Sequence, residues 1–290
     1  MSASAETVLP EGARPSWIVR VLRSPAGTTG AAIISVVVLL ALFADRLAPY
    51  SPLRMGAGRP LLPPSLAYPF GTDEFGRDEL SRVLFGTRLT LTVGAVAVGI
   101  SLGIGVAIAL LAGLARGWRE TAIMRFVDVL FSFTDTLIAL ACVAVLGASL
   151  HNAIIAVGIA AIPFYARTAH AAIIVERSRP YYEAAQAAGA GMFRLAFRHV
   201  LPNIAPTMIV VATLGISTAI LAAAALSFLG LGAEPPAPEW GLMLSGARAY
   251  MDRAPWLMVF PGLAIAVTVL GFNLFGDALR DALDPRRTRR

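Results

Sequence analysis

The sequence predicts an all-α polytopic membrane protein, a bundle of about six transmembrane helices, and three observations carry that expectation. Hydrophobic residues make up 57% of the 290-residue chain, charged residues only 14%, and mean hydropathy is +0.71. A soluble domain of this length has too little interior to hide that much apolar surface, which leaves lipid as the solvent. The apolar residues also fall in runs with few charges, matching the roughly 20 residues a helix needs to cross a bilayer core. Finally, Arg gathers in alternate connecting segments, as the positive-inside rule requires.

The elements follow in order. Residues 1–27 hold Arg14, Arg20 and Arg23 and read as a cytoplasmic N-terminal segment, too long and polar before the apolar run for a cleavable signal peptide. The first span is expected at 28–47. An extracytoplasmic segment, 48–88, is rich in Pro and turn residues and should be ordered loop. It ends in an amphipathic stretch, Asp78 to Thr87, with Leu80, Val83 and Leu84 on one face, predicting a short helix lying on the outer interface. A five-helix core is expected over 89–275, with spans at about 89–115, 122–148, 152–175, 203–231 and 254–275. It includes a cytoplasmic loop at 176–202, and a cytoplasmic tail, 276–290, closes the chain. With the N-terminus inside, the cytoplasmic segments 1–27, 116–125, 167–200 and 276–290 hold 16 of the 24 basic residues.

Composition excludes several chemistries. Every basic residue is Arg, so there is neither a P-loop lysine nor a Schiff-base lysine. The lone Cys142 rules out an internal disulfide and a cysteine metal cage, and His151, His170 and His199 show no ligand spacing, so no metal site is expected. The net charge of +6 fits basic loops facing anionic membrane lipid, and no nucleic-acid partner is expected. In the second span Ala95, Gly99, Gly103 and Ala107 recur every fourth residue, a row that lets a neighbouring helix approach closely. The same stretch fits G-x-S-x-G around Ser101, but that pattern needs a strand-to-helix elbow, and here it falls mid-membrane.

Four motifs stand out. In the 176–202 loop, Pro180 and Tyr181 open a short helix carrying Tyr182, Glu183, Ala184 and Ala185. Gly189 permits a sharp turn, and a second amphipathic helix passes Phe193 and Phe197 to Leu201-Pro202. Such a helix–Gly–helix knuckle can fit a groove on a partner. The second motif is Gly71-Thr72-Asp73-Glu74-Phe75-Gly76-Arg77-Asp78, whose Asp residues can cap helices, whose Arg can bridge to a carboxylate, and whose glycines permit tight turns. The third is Pro235-Pro236-Ala237-Pro238-Glu239-Trp240-Gly241, with Trp240 suited to the outer interface. The fourth is the C-terminal stretch from Asn273 to Arg286, in which Asp277, Arg280 and Asp284 can form a charge ladder.

The first motif resembles the "EAA" loop of binding-protein-dependent ABC importer permeases. The second and third resemble the G-T-D-x-x-G-R-D and P-P-x-P-E-W-G signatures of the dipeptide/oligopeptide/nickel branch, in its "C"-type subunit. The likeness covers roughly residues 20–290. It implies a type I ABC importer permease-like bundle in the bacterial inner membrane, with both termini cytoplasmic. It implies transport rather than catalysis, with no cofactor on this chain and with ATP and Mg held by separate ATP-binding subunits docked at Glu183, Ala184, Ala185 and Gly189. Other implied partners are a homologous second permease and an extracytoplasmic substrate-binding protein facing 48–88 and 232–253. His199 departs from the aliphatic residue usual at its place.

The third span departs too, carrying Thr134-Asp135 where the family often has Pro-Ser. An intramembrane carboxylate is costly and is a functional candidate by default. Asp128, near the cytoplasmic end, is expected to pair with an Arg such as Arg125. Asp135 either lines the translocation path and meets a peptide's amino terminus, or hydrogen-bonds a neighbouring helix. The expected cargo is a di- or oligopeptide moved by alternating access, with nickel, glutathione or another small solute as alternatives. An ion-coupled secondary transporter using Asp128 and Asp135, and an intramembrane hydrolase built on Ser101, are the other classes open to this sequence.

Overall fold

Ser24 marks the entry into the apolar region. Its hydroxyl accepts a hydrogen bond from the Gly27 amide at 3.0 Å, and Pro25 sits at the first helical position, where no amide is needed. The structure, a computed structural model, describes residues 17–115 and 117–283. Residues 1–16 of the expected segment 1–27 and the ladder residue Asp284 lie outside the described residues, and Asp277 and Arg280, both described, form no ion pair with each other.

A short α1 (Trp17–Arg23) precedes α2 (Pro25–Leu47), the first long helix. It packs on one side only. Val36, Leu39 and Leu42 are exposed, as suits a face toward acyl chains, whereas Gly30 lies against the backbone of Phe275.

α3 (Glu79–Ala115) runs for 37 residues, about 55 Å, far more than a bilayer core requires. This corrects the expected separate interfacial helix. Nothing between Thr87 and Leu89 breaks the helix, so the amphipathic stretch and the second span are one rod. Its apolar face does not rest on lipid, because Val83 and Leu84 are buried.

The third span is also different. It divides into α4 (Trp118–Phe131) and α5 (Asp135–Leu146), which meet at 87°. Ser132 turns its hydroxyl onto the Val129 carbonyl at 2.7 Å, and Thr134 adopts an extended N-cap backbone, so Ser, Thr and Asp offer the chain a way out of the helix.

α6 (Leu150–Arg177) is capped by Ser149, which accepts from Asn152 N at 3.1 Å. A hairpin follows: α7 (Pro180–Ala187), then α8 (Met192–Arg194), which passes through a π-helical turn at Leu195–Val200 into α9 (Leu201–Phe228). α10 (Trp240–Ala247) and α11 (Trp256–Leu283) complete the chain. The last helix continues through much of the expected tail.

Among the described residues five helices are thus long and apolar enough to cross a membrane, and the bent α4–α5 pair makes a sixth crossing if it counts as one span. The core lies where α3, α5, α6 and α9 meet, around Val98, Val143, Val157 and Leu226. Close approach there depends on small residues, since a Cβ on Gly105 would fall 2.7 Å from that of Tyr165. The row that allows this approach is not the expected one. Ala95, Gly99, Gly103 and Ala107 all face outward, and the buried side of α3 carries Gly94, Ala97, Ser101, Gly105 and Ala109 instead. Ser101 donates to the Ala97 carbonyl at 2.9 Å inside an unbroken helix, so the esterase elbow is absent.

Candidate functional site

Two loop clusters occupy opposite ends of the bundle. The Trp240 indole N–H donates to the Val83 carbonyl at 3.0 Å, placing the Pro235–Gly241 loop at the N-terminal end of α3. Arg177, at the end of α6, donates to the Gly113 carbonyl, placing the hairpin at the other end of α3, about 45 Å away along the helix.

At the first end, residues 71–78 fold into a tight knot. Gly71 and Gly76 take φ of +78° and +67°, the left-handed region open to glycine. The Thr72 hydroxyl accepts from Leu62 N at 2.9 Å and donates to the Arg59 carbonyl at 2.6 Å. Asp73 accepts from the amides of Phe75 and Arg77 and from the Arg77 guanidinium. Asp78 caps α3, accepting from Ser81 N at 2.8 Å and Ser81 Oγ at 2.6 Å. The expected roles of these residues as caps, bridges and turns describe this geometry. Arg82, unremarked in the sequence, ties the knot to the second loop: it donates to the carbonyls of Pro52 and Pro236 at 3.2 and 3.3 Å and lies 3.6 Å from Asp73.

Trp240 corrects an expectation. It is 2% exposed and packs against Gly86 of α3, so it is a core residue, not an interfacial anchor. Glu239 caps α10, accepting from the amides of Gly241 and Leu242 at 3.0 and 2.8 Å. Burial pushes its carboxyl above the usual range, and those two amides pull it back.

At the other end the hairpin is built as a projecting knuckle. The Gly189 amide donates to Gln186 O and the Ala190 amide to Ala185 O, both at 3.0 Å, closing α7 in a Schellman motif around a glycine at φ +79°. Glu183, Ala184 and Gly189 are exposed, Ala185 is half-buried, and Pro202 is exposed beside half-buried Leu201. Phe193 and Phe197 stack with centroids 6.4 Å apart while remaining 81% and 60% exposed. Tyr182 differs from its neighbours: at 3% exposed it packs with Ile173, Val200, Ile204 and Met208, and so anchors the knuckle from beneath. Tyr181 donates to Glu176. Burial and that bond push its hydroxyl up to about 12, so it keeps its proton throughout the physiological range. His199 lies beside the Tyr181 ring, with centroids 6.4 Å apart.

A cluster absent from the sequence reading braces this end. Glu120 bridges His170 at 3.0 Å and Arg177 at 3.3 Å, fastening the start of α4 to the end of α6. Asp128 pairs with Arg167 of α6 at 3.6 Å rather than with Arg125.

Between the two ends, Asp135 is the first residue of α5, immediately after the break. It lines a cavity of about 240 Å³ together with Ser101, Tyr165 and Thr218. The Tyr165 hydroxyl is buried without a hydrogen-bond partner and sits directly against Gly215. Tyr165 was not singled out from sequence, because one Tyr in an apolar helix carries no periodic or motif signal. Among the described residues no group of three His, Cys, Asp or Glu could hold a metal ion.

Comparison with known proteins places this geometry. Residues 105–289 match the family described as "Binding-protein-dependent transport system inner membrane component". The chain is 46% identical over 257 residues to the dipeptide transport system permease protein DppC of Alkalihalophilus pseudofirmus, covering 89% of this chain and 84% of that one. It is 47% identical over 263 residues to the di/tripeptide transport system permease protein DppC of Pseudomonas aeruginosa, covering 89% and 87%. It is 41% identical over 273 residues to the glutathione transport system permease protein GsiD of Pectobacterium atrosepticum, covering 92% and 89%. Among solved structures, an inward-facing MetNI methionine ABC transporter chain superimposes with a TM-score of 0.59 at 19% identity, covering 71% of this chain and 98% of that one, which shows a shared fold. With a family match over most of its length and a helical bundle of the same fold, the chain belongs to the binding-protein-dependent ABC importer permeases, a multi-pass transport subunit rather than an enzyme.

Proposed function

We propose that the chain is one of two homologous permeases in an ATP-driven importer of di- or oligopeptides, working by alternating access. The observation that carries this reading is the anchored, projecting knuckle at Glu183–Gly189, with an exposed carboxylate and small exposed residues above a buried Tyr182. Such a surface offers close approach and one charge to a partner, as an ATP-binding subunit needs if its closure is to move the membrane helices. ATP and Mg belong to that subunit. The knuckle end is assigned to the cytoplasm, in keeping with the Arg-rich segments 116–125 and 167–200. The knot at 71–78 and the loop at 235–241 then face the substrate-binding protein. The outward row Ala95, Gly99, Gly103 and Ala107 on α3 is the surface offered to the second permease. Peptide cargo rests on the dipeptide permeases among the relatives, and the glutathione permease among them makes that tripeptide the second candidate.

Asp135 is assigned to the translocation path. It stands at a helix break, exposed, beside the cavity that Tyr165 also lines. A carboxylate there can meet the charged amino terminus of a passing peptide. The Asp135→Asn variant, reconstituted with its partner subunits, is expected to lose uptake of peptides with a free amino terminus about tenfold while sparing N-acetylated ones, a difference of about 1.4 kcal/mol. Equal losses for both cargoes, or none, remove the assignment. The docking assignment is tested by co-purification. Wild-type chain is expected to retain the ATP-binding subunits, and deletion of residues 183–189 is expected to release them while the second permease stays bound.

A further inference from the structure

At the end of the bundle that carries the 71–78 knot, a cavity of about 340 Å³ opens between that knot and the 235–247 segment. Its rim is exposed at Phe75, Pro235, Pro236 and Gly246. Its floor is charged and buried: Asp73, Arg77, Glu79 and Arg82 are each between 2% and 5% exposed. Three of these four are already satisfied. Asp73 takes Arg77 and two backbone amides, and Arg82 takes the Pro52 and Pro236 carbonyls.

Glu79 is the exception. It is 2% exposed and lines the cavity, and its carboxylate has Arg77 and Arg82 as electrostatic neighbours but makes no hydrogen bond or ion pair among the described residues, whereas its amide donates to the Gly71 carbonyl at 3.1 Å. With Glu74 at the rim the lining holds three carboxylates and two guanidiniums, so it is one cation short when Glu79 is ionised and balanced when Glu79 holds its proton. A carboxylate buried without a partner is costly as an anion, so it holds its proton until a cation arrives to pair with it. The missing partner is not a metal ion, since no group of three suitable ligands exists among the described residues and the Asp73 oxygens are taken. The opposite wall, from Leu242 to Ala247 and Leu257, adds no ionisable side chain. Arg77 and Arg82 share the lining but are held by Asp73 and by the Pro52 and Pro236 carbonyls, and Glu74 lies 3.8 Å from Arg77, which leaves Glu79 as the acid open to an entering cation.

We propose that this cavity is the socket for one basic side chain, Lys or Arg, projected by the substrate-binding protein when it docks, with Glu79 as the buried acceptor at its floor. The inference rests on the assignment of this end to the binding protein, made above. The socket gives the two signature loops a shared task. The first turn of α3 supplies the acid, the 71–78 knot holds it in place through Asp73, Arg77 and the Asp78 cap, and the 235–241 loop supplies the exposed lip. A charge pair formed in a cavity of this depth fixes register as well as affinity.

The experiment uses the complete transporter in lipid nanodiscs and the purified substrate-binding protein of the same system, with Kd measured across a salt series. Glu79→Gln is expected to weaken docking about tenfold at low salt and to flatten the salt dependence. A scan replacing each surface Lys and Arg of the binding protein by Gln is expected to find one position whose own tenfold loss vanishes in the Glu79→Gln background. Docking of Glu79→Gln within twofold of wild type, or a loss that couples to no basic position, overturns the socket. Should Glu79→Gln fail to assemble, the scan against wild-type transporter decides alone: finding no single basic position that matters overturns it. A wild-type transporter that does not engage the binding protein overturns the parent assignment and this one together, whereas wild-type docking that ignores Glu79 overturns only this one.

Discussion

Replacing Trp240 with alanine is expected to destabilise the assembled protein by about 3–5 kcal/mol, the range for truncating a large aromatic side chain in a packed core. The indole is 2% exposed, wedged against Gly86, and donates to the Val83 carbonyl at 3.0 Å. Alanine leaves a void between α3 and α10, and it also leaves that carbonyl without the donor it has here. Because the same contact joins the 235–241 loop to the helix carrying Glu79 and Arg82, the loss spreads to the whole end that carries the 71–78 knot. Thermal unfolding of the purified complex in detergent measures it. A clear fall in Tm is expected for Trp240→Ala and almost none for Leu66→Ala, whose side chain is fully exposed in the 48–88 segment. Equal Tm values for the two variants would contradict the packing described.

Gly189→Val has the second large effect, and it acts on transport rather than on folding. At φ +79° an L-residue crowds its own backbone, at about 1–2 kcal/mol for an ordinary side chain and more for a β-branched one. The Schellman closure of α7 depends on that conformation, so the knuckle loses its shape while the anchor at Tyr182 survives. ATP-dependent uptake is expected to fall about tenfold or more, with normal membrane insertion. Gly191 supplies the control. It sits two residues on at φ −68°, ψ 163°, a conformation valine favours, with open space around it. Gly191→Val is expected to keep uptake within about twofold of wild type. The same loss at both positions would show that bulk, not backbone geometry, matters there.

Much of the fold was legible in the chain because a bilayer writes its thickness into sequence. Helices α2, α6, α9 and α11 fall on the expected apolar runs. The knuckle was legible as well, since Pro180 and Gly189 mark a start and a stop with known stereochemistry. What failed has a common physical cause: periodicity says which residues share a face but not which face acquires a neighbour. Two adjacent rows of α3 are rich in small residues, and the row that packs is Gly94–Ala97–Ser101–Gly105, not Ala95–Gly99–Gly103–Ala107. The amphipathic stretch before the second span suggested a lipid surface, yet its apolar side found Trp240 instead. Glu79 and Arg82 drew no remark in the sequence, and only three-dimensional placement beside Asp73 and Arg77 shows them buried. The break at Ser132–Thr134 was half visible: Thr134-Asp135 was noticed as unusual, but the apolar stretches on either side of it concealed the 87° turn.

The site divides in the same way. Residues 71–78 and 183–189 were identifiable because each uses glycine, proline or a capping residue at fixed spacing. The brace of Glu120, His170 and Arg177 joins residues 50 and 57 positions apart, which no local pattern can reveal.

The central claim, a peptide permease driven by a separate ATPase, is tested most directly by uptake into proteoliposomes. These contain the chain, the second permease and the ATP-binding subunits, with the substrate-binding protein and a labelled dipeptide supplied on the side facing the 71–78 knot. ATP and Mg on the opposite face are expected to drive accumulation that stops when the binding protein is omitted, with an imposed proton gradient unable to replace ATP. Accumulation driven by the gradient in vesicles lacking the ATP-binding subunits would contradict the account and make the chain an ion-coupled carrier.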